Sequence, residues 1–266
     1  MHIKNIKLNL ENNIEDSSVY ISDPFIIFEV KNFLDPSLYN CLVNEIYDIN
    51  NFDYVFEGRG EKEKSSINGS NVDNLKDGIF KQFCISCLSF EFFEWFEKTH
   101  LKHFKFLKTK YLYARNPKSF VVRVTNKLIK FFNIPFCFFY TEIQHSSIKQ
   151  NGFIPPHTDS GKKRLSLVYY LPATNIELSE DMKSSLGTVF WRPKSSAVDP
   201  IRRFDCDLLI SKERDSFYAD YEPFHISKYE PNKFAGFIKS DNSWHTVNKF
   251  NFPYDRRAIV INIWQM

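Results

Sequence analysis

In the run IPPHTDSG, His157 and Asp159 stand two residues apart, and much later in the chain His245 lies in the run SWHTV. Side chains at i and i+2 of an extended strand project to one side, so an imidazole and a carboxylate at this spacing can converge on one ion. An H-x-D pair alone is weak, because polar residues at strand ends are common; the second imidazole turns the pair into a ligand set. Two histidines and one carboxylate form the facial triad suited to non-haem iron(II), which leaves positions open for an organic chelator and for dioxygen. The terminal run DRRAIVINIW then supplies Arg256 and Arg257 shortly after His245. An arginine beside such a metal can hold the far carboxylate of a dicarboxylate through two parallel hydrogen bonds. Period-two alternation places Arg256 on a face with Ala258, Val260, Asn262 and Trp264, and Arg257 on the face of Ile259, Ile261 and Ile263.

Elements able to bring these residues together are legible in the texture of the chain. Asp35-Pro36 reads as an N-cap followed by proline at the first helical position, ahead of Leu38, Leu42 and Ile46, which predicts a helix over 36–49. PFIIFEV at 24–30 reads as a strand, and the glycine-punctuated polar stretch 51–77 as a loop. Apolar residues from Phe80 to Tyr111 recur at three and four, as in a long or broken amphipathic helix, and 121–132 reads as another helix. After Pro135 the pattern changes to short runs of Phe, Tyr, Val and Ile bounded by turn residues. Strands are predicted near 136–145, 164–171, 187–192, 204–210, 224–229, 233–238, 244–248 and 256–264. This order suggests a mainly β, α+β fold: a double-sheet jelly roll or related barrel with N-terminal helices on the major sheet. No repeat or linker divides the chain, so one domain is expected, residues 1–135 supporting a catalytic core at 136–266.

Composition narrows the function classes. The 266 residues are 43% hydrophobic and 25% charged, which suits a folded globular protein, and 28 Phe, 13 Tyr and 4 Trp imply a core built largely of rings. A net charge of +3 is too small for a dedicated nucleic-acid binder, so such a partner is not expected. The basic run Lys98, Lys102, Lys105, Lys108, Lys110, Arg115 and Lys118 has no intervening acid and reads more simply as a solvated helix face than as an anionic-substrate patch. The N-terminal sequence has neither the apolar stretch nor the cleavage site of a secretory signal, and no segment is apolar enough to span a membrane. Five scattered cysteines do not form a disulfide framework, and the expected compartment is reducing and cytoplasmic. Cys84 and Cys87 make a C-x-x-C inside a helical pattern with no second pair, which reads as two buried thiols. His145 and His225 read as structural.

The succession HTD at 157–159, RLSLVYYLPAT at 164–174, GTVFW at 187–191, PNKFAGFIKSDNSWHTV at 231–247 and RRAIVINIW at 256–264 resembles the iron(II)/2-oxoglutarate oxygenase superfamily, particularly its prolyl-hydroxylase-like and phytanoyl-hydroxylase-like branches. The opening PFIIFEVKNFLDPSLYNCL also looks like that family's, although the likeness is dense only from about 140 to 264. The resemblance implies a double-stranded β-helix core and a dioxygenase, typically a hydroxylase, that uses Fe(II) and 2-oxoglutarate, with ascorbate as accessory reductant. It makes His157, Asp159 and His245 the metal ligands and catalytic centre, and Arg256 the anchor of the 2-oxoglutarate C5 carboxylate, with Arg257 as the fallback. Tyr170 matches a position whose hydroxyl often helps hold that carboxylate, although a core tyrosine with a satisfied hydroxyl is an equal reading. Tyr140 and Gln144, on one face of the strand entering the HTD loop, are candidates for the co-substrate or substrate pocket. The usual paired glycine before GTVFW is here Leu186-Gly187, and a long segment near 193–222 reads as a surface insertion. Asp159 stands where halogenating relatives lack a carboxylate, which favours hydroxylation.

Two rivals stay open at the level of sequence: a non-catalytic β-sandwich binding module, and a cupin-like metal dioxygenase that uses no keto acid. Small molecules and peptides are both admissible substrates, since the fold and the metal set do not specify one. Oligomeric state is not encoded in these patterns.

Overall fold

The computed structural model describes residues 20–48, 54–56, 62–94, 110–159, 161–173, 176–194 and 211–266. After the short strand β1 (Tyr20–Ile21) and β2 (Ile27–Lys31), helix α1 (Pro36–Asp48) starts where the sequence predicts. Asp35 Oδ1 accepts the Ser37 N–H at 2.9 Å, satisfying one donor of the first turn. Leu42, Val43 and Ile46 bury the inner stripe of the helix. Then follow β3 (Tyr54–Phe56), β4 (Lys62–Ile67), α2 (Ile79–Cys87), β5 (Lys110–Tyr113), α3 (Phe120–Phe131), β6 (Phe136–Ile148), β7 (Ile154–His157) and β8 (Lys163–Tyr170). The chain continues through α4 (Glu180–Ser185), β9 (Thr188–Pro193), α5 (Ser211–Asp220), β10 (Tyr221–Ser227), β11 (Lys233–Ile238), β12 (His245–Val247) and β13 (Arg256–Gln265).

Among the described residues these strands form a mainly antiparallel pair of sheets. The larger runs β1-β2-β11-β8-β13-β6-β4-β3, with β5 joined parallel to β6; the smaller runs β10-β9-β12-β7. Strand β13 is central because its run RRAIVINIW is apolar on one face and mixed on the other. Its register sets Val260 beside Gln144 of β6 and Val168 of β8. The odd residues Ile259, Ile261 and Ile263 enter a cluster with Leu165, Leu167, Tyr169, Phe139 and Ile143, roofed by α1 and α2. Full burial of each such side chain contributes about 1.5–3 kcal/mol. On the opposite face, Phe190 of β9 and Val247 of β12 share a second cluster with Val168, Tyr170, Phe237 and Ala258 of the larger sheet. The site residues lie on that side, between the sheets.

Several expectations are corrected. The stretch read as a loop over 51–77 contains β3 and β4, because KEKSSI at 62–67 completes the open edge of β6 despite its polar sequence. The long helix read over 80–111 stops at Cys87, resumes at 90–94 and then passes outside the described residues; Lys110–Tyr113 is strand, since pairing with β6 overrides a helical reading. Of the basic run, Lys110 therefore lies in a strand and Arg115 and Lys118 in the connection to α3, not on one helix face. Strands β1 and β5 were not anticipated, β7 ends at His157 and so covers only the first part of the extended stretch read through Asp159, and β10 begins at Tyr221 rather than 224. The expected strand at 204–210, and Cys206 with it, lie outside the described residues; α5 occupies the later part of the segment read as an insertion. Cys84 and Cys87 are fully buried, and burial pushes both thiols well above their ordinary range. No helix among the described residues is long and apolar enough to cross a membrane.

Candidate metal centre

Strands β7 and β12 pair antiparallel with His157 directly opposite His245, so the two imidazoles leave the small sheet side by side, ring centroids 4.0 Å apart. Each ring is held by its own backbone. His157 Nδ1 lies 3.0 Å from the Pro155 carbonyl oxygen and His245 Nδ1 2.9 Å from that of Ser243. With the proton on Nδ1 donated to a carbonyl, each Nε2 carries its lone pair toward the common space, the arrangement that orients metal-binding histidines.

Asp159 reaches the same place by a route that period-two spacing did not describe. Strand β7 ends at His157, and Asp159 follows with φ at 69°, in the left-handed region that Asp tolerates better than most residues. A turn, not strand alternation, brings the carboxylate round. Its Oδ1 lies 3.6 Å from His157 Nε2 and its Oδ2 3.9 Å from His245 Nε2. One donor atom from each residue falls within 4.8 Å of the others, the kind of cluster that can hold a metal ion.

The carboxylate is itself supported. Lys163 Nζ donates to Asp159 Oδ1 at 2.8 Å, and Ser166 Oγ lies 3.1 Å from Oδ2 and 3.0 Å from Asn262 Oδ1. Burial acts to raise the Asp159 pKa, but the Lys163 ammonium and the two imidazoles outweigh it, holding the carboxyl well below the usual range and ionised at neutral pH.

A cavity of about 80 Å³ opens beside the triad, lined by the triad itself, Gln144, Ser146, Val168, Val260 and Arg256. Arg256 is 2% exposed. Its Nε donates to the Leu186 carbonyl at 2.6 Å and Nη2 lies 3.4 Å from Thr188 Oγ1, while the guanidinium lies 5.6 Å from the ring centroids of both Tyr170 and Tyr229. Burial pulls its pKa below the ordinary arginine value, and among the described residues no carboxylate forms an ion pair with it. A buried cation without an anion is costly, and its remaining N–H donors suit a ligand that brings one.

Arg257 is placed elsewhere. On the opposite face of β13 its Nη1 donates to the Ile46 carbonyl at 2.6 Å, at the end of α1, and its guanidinium lies 4.6 Å from the Tyr47 ring centroid. Tyr170 is fully buried but does not line the cavity. Its hydroxyl donates to the Ser227 carbonyl at 3.2 Å and meets Thr188 Oγ1 at 2.9 Å, so it meets Arg256 with its ring. Gln144 lines the cavity, with Nε2 3.3 Å from Glu142 Oε2; Tyr140 lies farther along β6, stacked at 10° on Trp264 and outside the lining.

Two histidines stay apart from the centre. His225 Nε2 meets Glu29 Oε1 at 2.9 Å, and His145 is fully buried, its pKa pushed down to about 3 by burial and then by Arg257. Sequence reasoning missed Lys163, Ser166, Thr188 and the Leu186 carbonyl. Only Ser166 carried a signal, since it shares strand parity with Val168 and Tyr170; the others depend on which strands become neighbours.

No family model and no curated protein matches the chain. Among solved structures, it is similar to a Pseudomonas putida prolyl-4-hydroxylase, at 12% identity and TM-score 0.46, covering 91% of this chain and 93% of that one. HygX from Streptomyces hygroscopicus, solved with nickel and 2-oxoglutarate bound, aligns at 7% identity and TM-score 0.48, covering 90% and 82%. A prolyl hydroxylase from Trichoplax adhaerens, in complex with a hypoxia inducible factor peptide fragment, aligns at 11% identity and TM-score 0.44, covering 90% and 83%. The chemistry open to the chain follows from the residues of its own site.

Proposed function

We propose that this chain is an iron(II)- and 2-oxoglutarate-dependent oxygenase with a jelly-roll core, and that it hydroxylates a small-molecule or peptidyl substrate with release of succinate and carbon dioxide. The observation that carries the reading is the convergence of His157, Asp159 and His245 beside a buried Arg256 that has no carboxylate partner among the described residues.

In this reading His157 and His245 bind iron(II) through Nε2, their Nδ1 protons committed to Pro155 and Ser243, and Asp159 binds as the ionised carboxylate. Lys163 and Ser166 hold that carboxylate in place. Arg256 takes the distal carboxylate of 2-oxoglutarate, aimed by Leu186, Thr188 and the Tyr170 and Tyr229 rings; Tyr170 acts through its ring, not its hydroxyl. When bound, the metal supplies open positions for a keto acid and for dioxygen, and with them the oxidative chemistry. Val168, Val260, Val247 and Phe237 exclude water around these groups, which strengthens every charge interaction inside the cavity. Tyr140, outside the cavity lining on the same face of β6, would meet substrate rather than co-substrate, and Gln144, in the lining, would stand between the two.

The test uses purified protein loaded with iron(II) in the presence of ascorbate and exposed to oxygen, with succinate measured. Conversion of 2-oxoglutarate to succinate is expected, falling to background in His157→Ala and in His245→Ala. Oxygen uptake without succinate marks a metal dioxygenase that uses no keto acid; absence of both, with iron retained, marks a binding module.

A further inference from the structure

Helix α3 rests on the protein by a narrow face. Ile129 is buried against Ala114 and Phe138, and Val122 packs beside it. The rest of its apolar surface faces outward: Phe120 is 80% exposed and Phe131 81%, with Val121, Val124 and Leu128 exposed on the same side and Phe132 continuing it past the helix end. At the helical repeat these side chains form one continuous arc, whereas Arg123, Lys127 and Lys130, all exposed, line one edge of it. The surrounding sequence holds no acid from Lys98 through Thr141, and Arg115 and Lys118 add exposed cations immediately before the helix.

An apolar arc of this size is too contiguous to be the scattered exposure of an ordinary surface. Its edge charge identifies the occupant. An isologous contact with the two helices antiparallel would bring the same row of cations from both partners together, which opposes association. A layer of anionic lipid headgroups neutralises that row while the Phe and Val side chains enter the acyl boundary, the arrangement of an interfacial helix. We propose that α3 docks this protein, peripherally and reversibly, on a membrane surface rich in anionic phospholipid. The proposal is independent of the chemistry at the metal centre.

The experiment sediments the 266-residue chain with vesicles of phosphatidylcholine containing about 30% phosphatidylserine, and with vesicles of phosphatidylcholine alone. Binding to the first is expected, weak binding to the second, and release from the first at about 0.5 M salt, where charges are screened within a few ångströms. Both Phe131→Ser/Phe132→Ser and Lys127→Glu/Lys130→Glu are expected to weaken binding at least about tenfold. Thermal melts of both variants should match the wild type, because the altered side chains are exposed; should one variant melt early, the other and the salt dependence still decide. Absence of binding to anionic vesicles, equal binding to neutral ones, or a wild-type dimer that the Phe variant converts to a monomer overturns the proposal.

Discussion

Replacing Arg256 with methionine separates a co-substrate anchor from a structural arginine, because the two roles predict opposite balances of stability and binding. In the ligand-free protein the substitution removes a buried guanidinium that has no anion among the described residues, together with its bond to the Leu186 carbonyl. The bond contributes roughly 1.5–3 kcal/mol, and the desolvation of the unmatched charge opposes it by several kcal/mol, so the melting temperature should hold or rise. Binding should behave differently. Truncating one partner of a buried, hydrogen-bonded charge pair costs about 2–5 kcal/mol, which is a roughly 30- to 4,000-fold loss of 2-oxoglutarate affinity. The assay is anaerobic calorimetric titration of 2-oxoglutarate into metal-loaded protein, beside melts of both forms without co-substrate. Arg257→Met supplies the contrast, since that arginine ties the Ile46 carbonyl at the end of α1. It should lower the melting temperature and leave co-substrate affinity nearly unchanged. Arg256→Met that keeps wild-type affinity, or that loses stability as Arg257→Met does, refutes the anchor assignment.

Ser166→Ala removes a support of the Asp159 carboxylate while leaving all three candidate ligands in place, and should weaken manganese(II) binding about 10- to 100-fold in equilibrium dialysis. Gly187→Ala should destabilise the fold by about 1–3 kcal/mol and weaken 2-oxoglutarate binding together, because an added Cβ would collide with the Ser227 carbonyl oxygen and shift the Leu186 and Thr188 groups that hold Arg256; denaturant melts and titration read the two effects. Glu29 is buried, yet the His225 hydrogen bond and the Lys233 charge outweigh that burial and lower its pKa from 4.5 to about 2. A folded-state value below the unfolded one means a stabilising contribution that is complete above pH 4.5 and is lost as pH falls toward 2. Glu29→Gln should therefore lower stability at neutral pH and flatten the acid limb of the stability curve between these values, as measured by urea melts across pH.

The division between β13's two arginines shows how far local pattern reaches. Alternation alone placed Arg256 and Arg257 on opposite faces, because the strand period is two whatever surrounds it. Which face meets the cavity and which meets α1 follows from the neighbours β6 and β8, and no local spacing encodes those. The run KEKSSI makes the same point, since its polar residues become strand only because β6 offers an unpaired edge.

Side-chain chemistry and short-range periodicity are written in the chain itself: the histidine and carboxylate set, the Asp35-Pro36 helix start, the aromatic strands after Pro135, and the two faces of the last strand. Long-range register is not. That His157 faces His245, that Asp159 arrives through a left-handed turn, and that Lys163, Ser166, Leu186 and Thr188 become the supports of the site were decided by strand pairing. The physical reason is that propensity and spacing act over a few residues, whereas a binding site is the meeting of groups whose separation along the chain carries no energy until the sheets close.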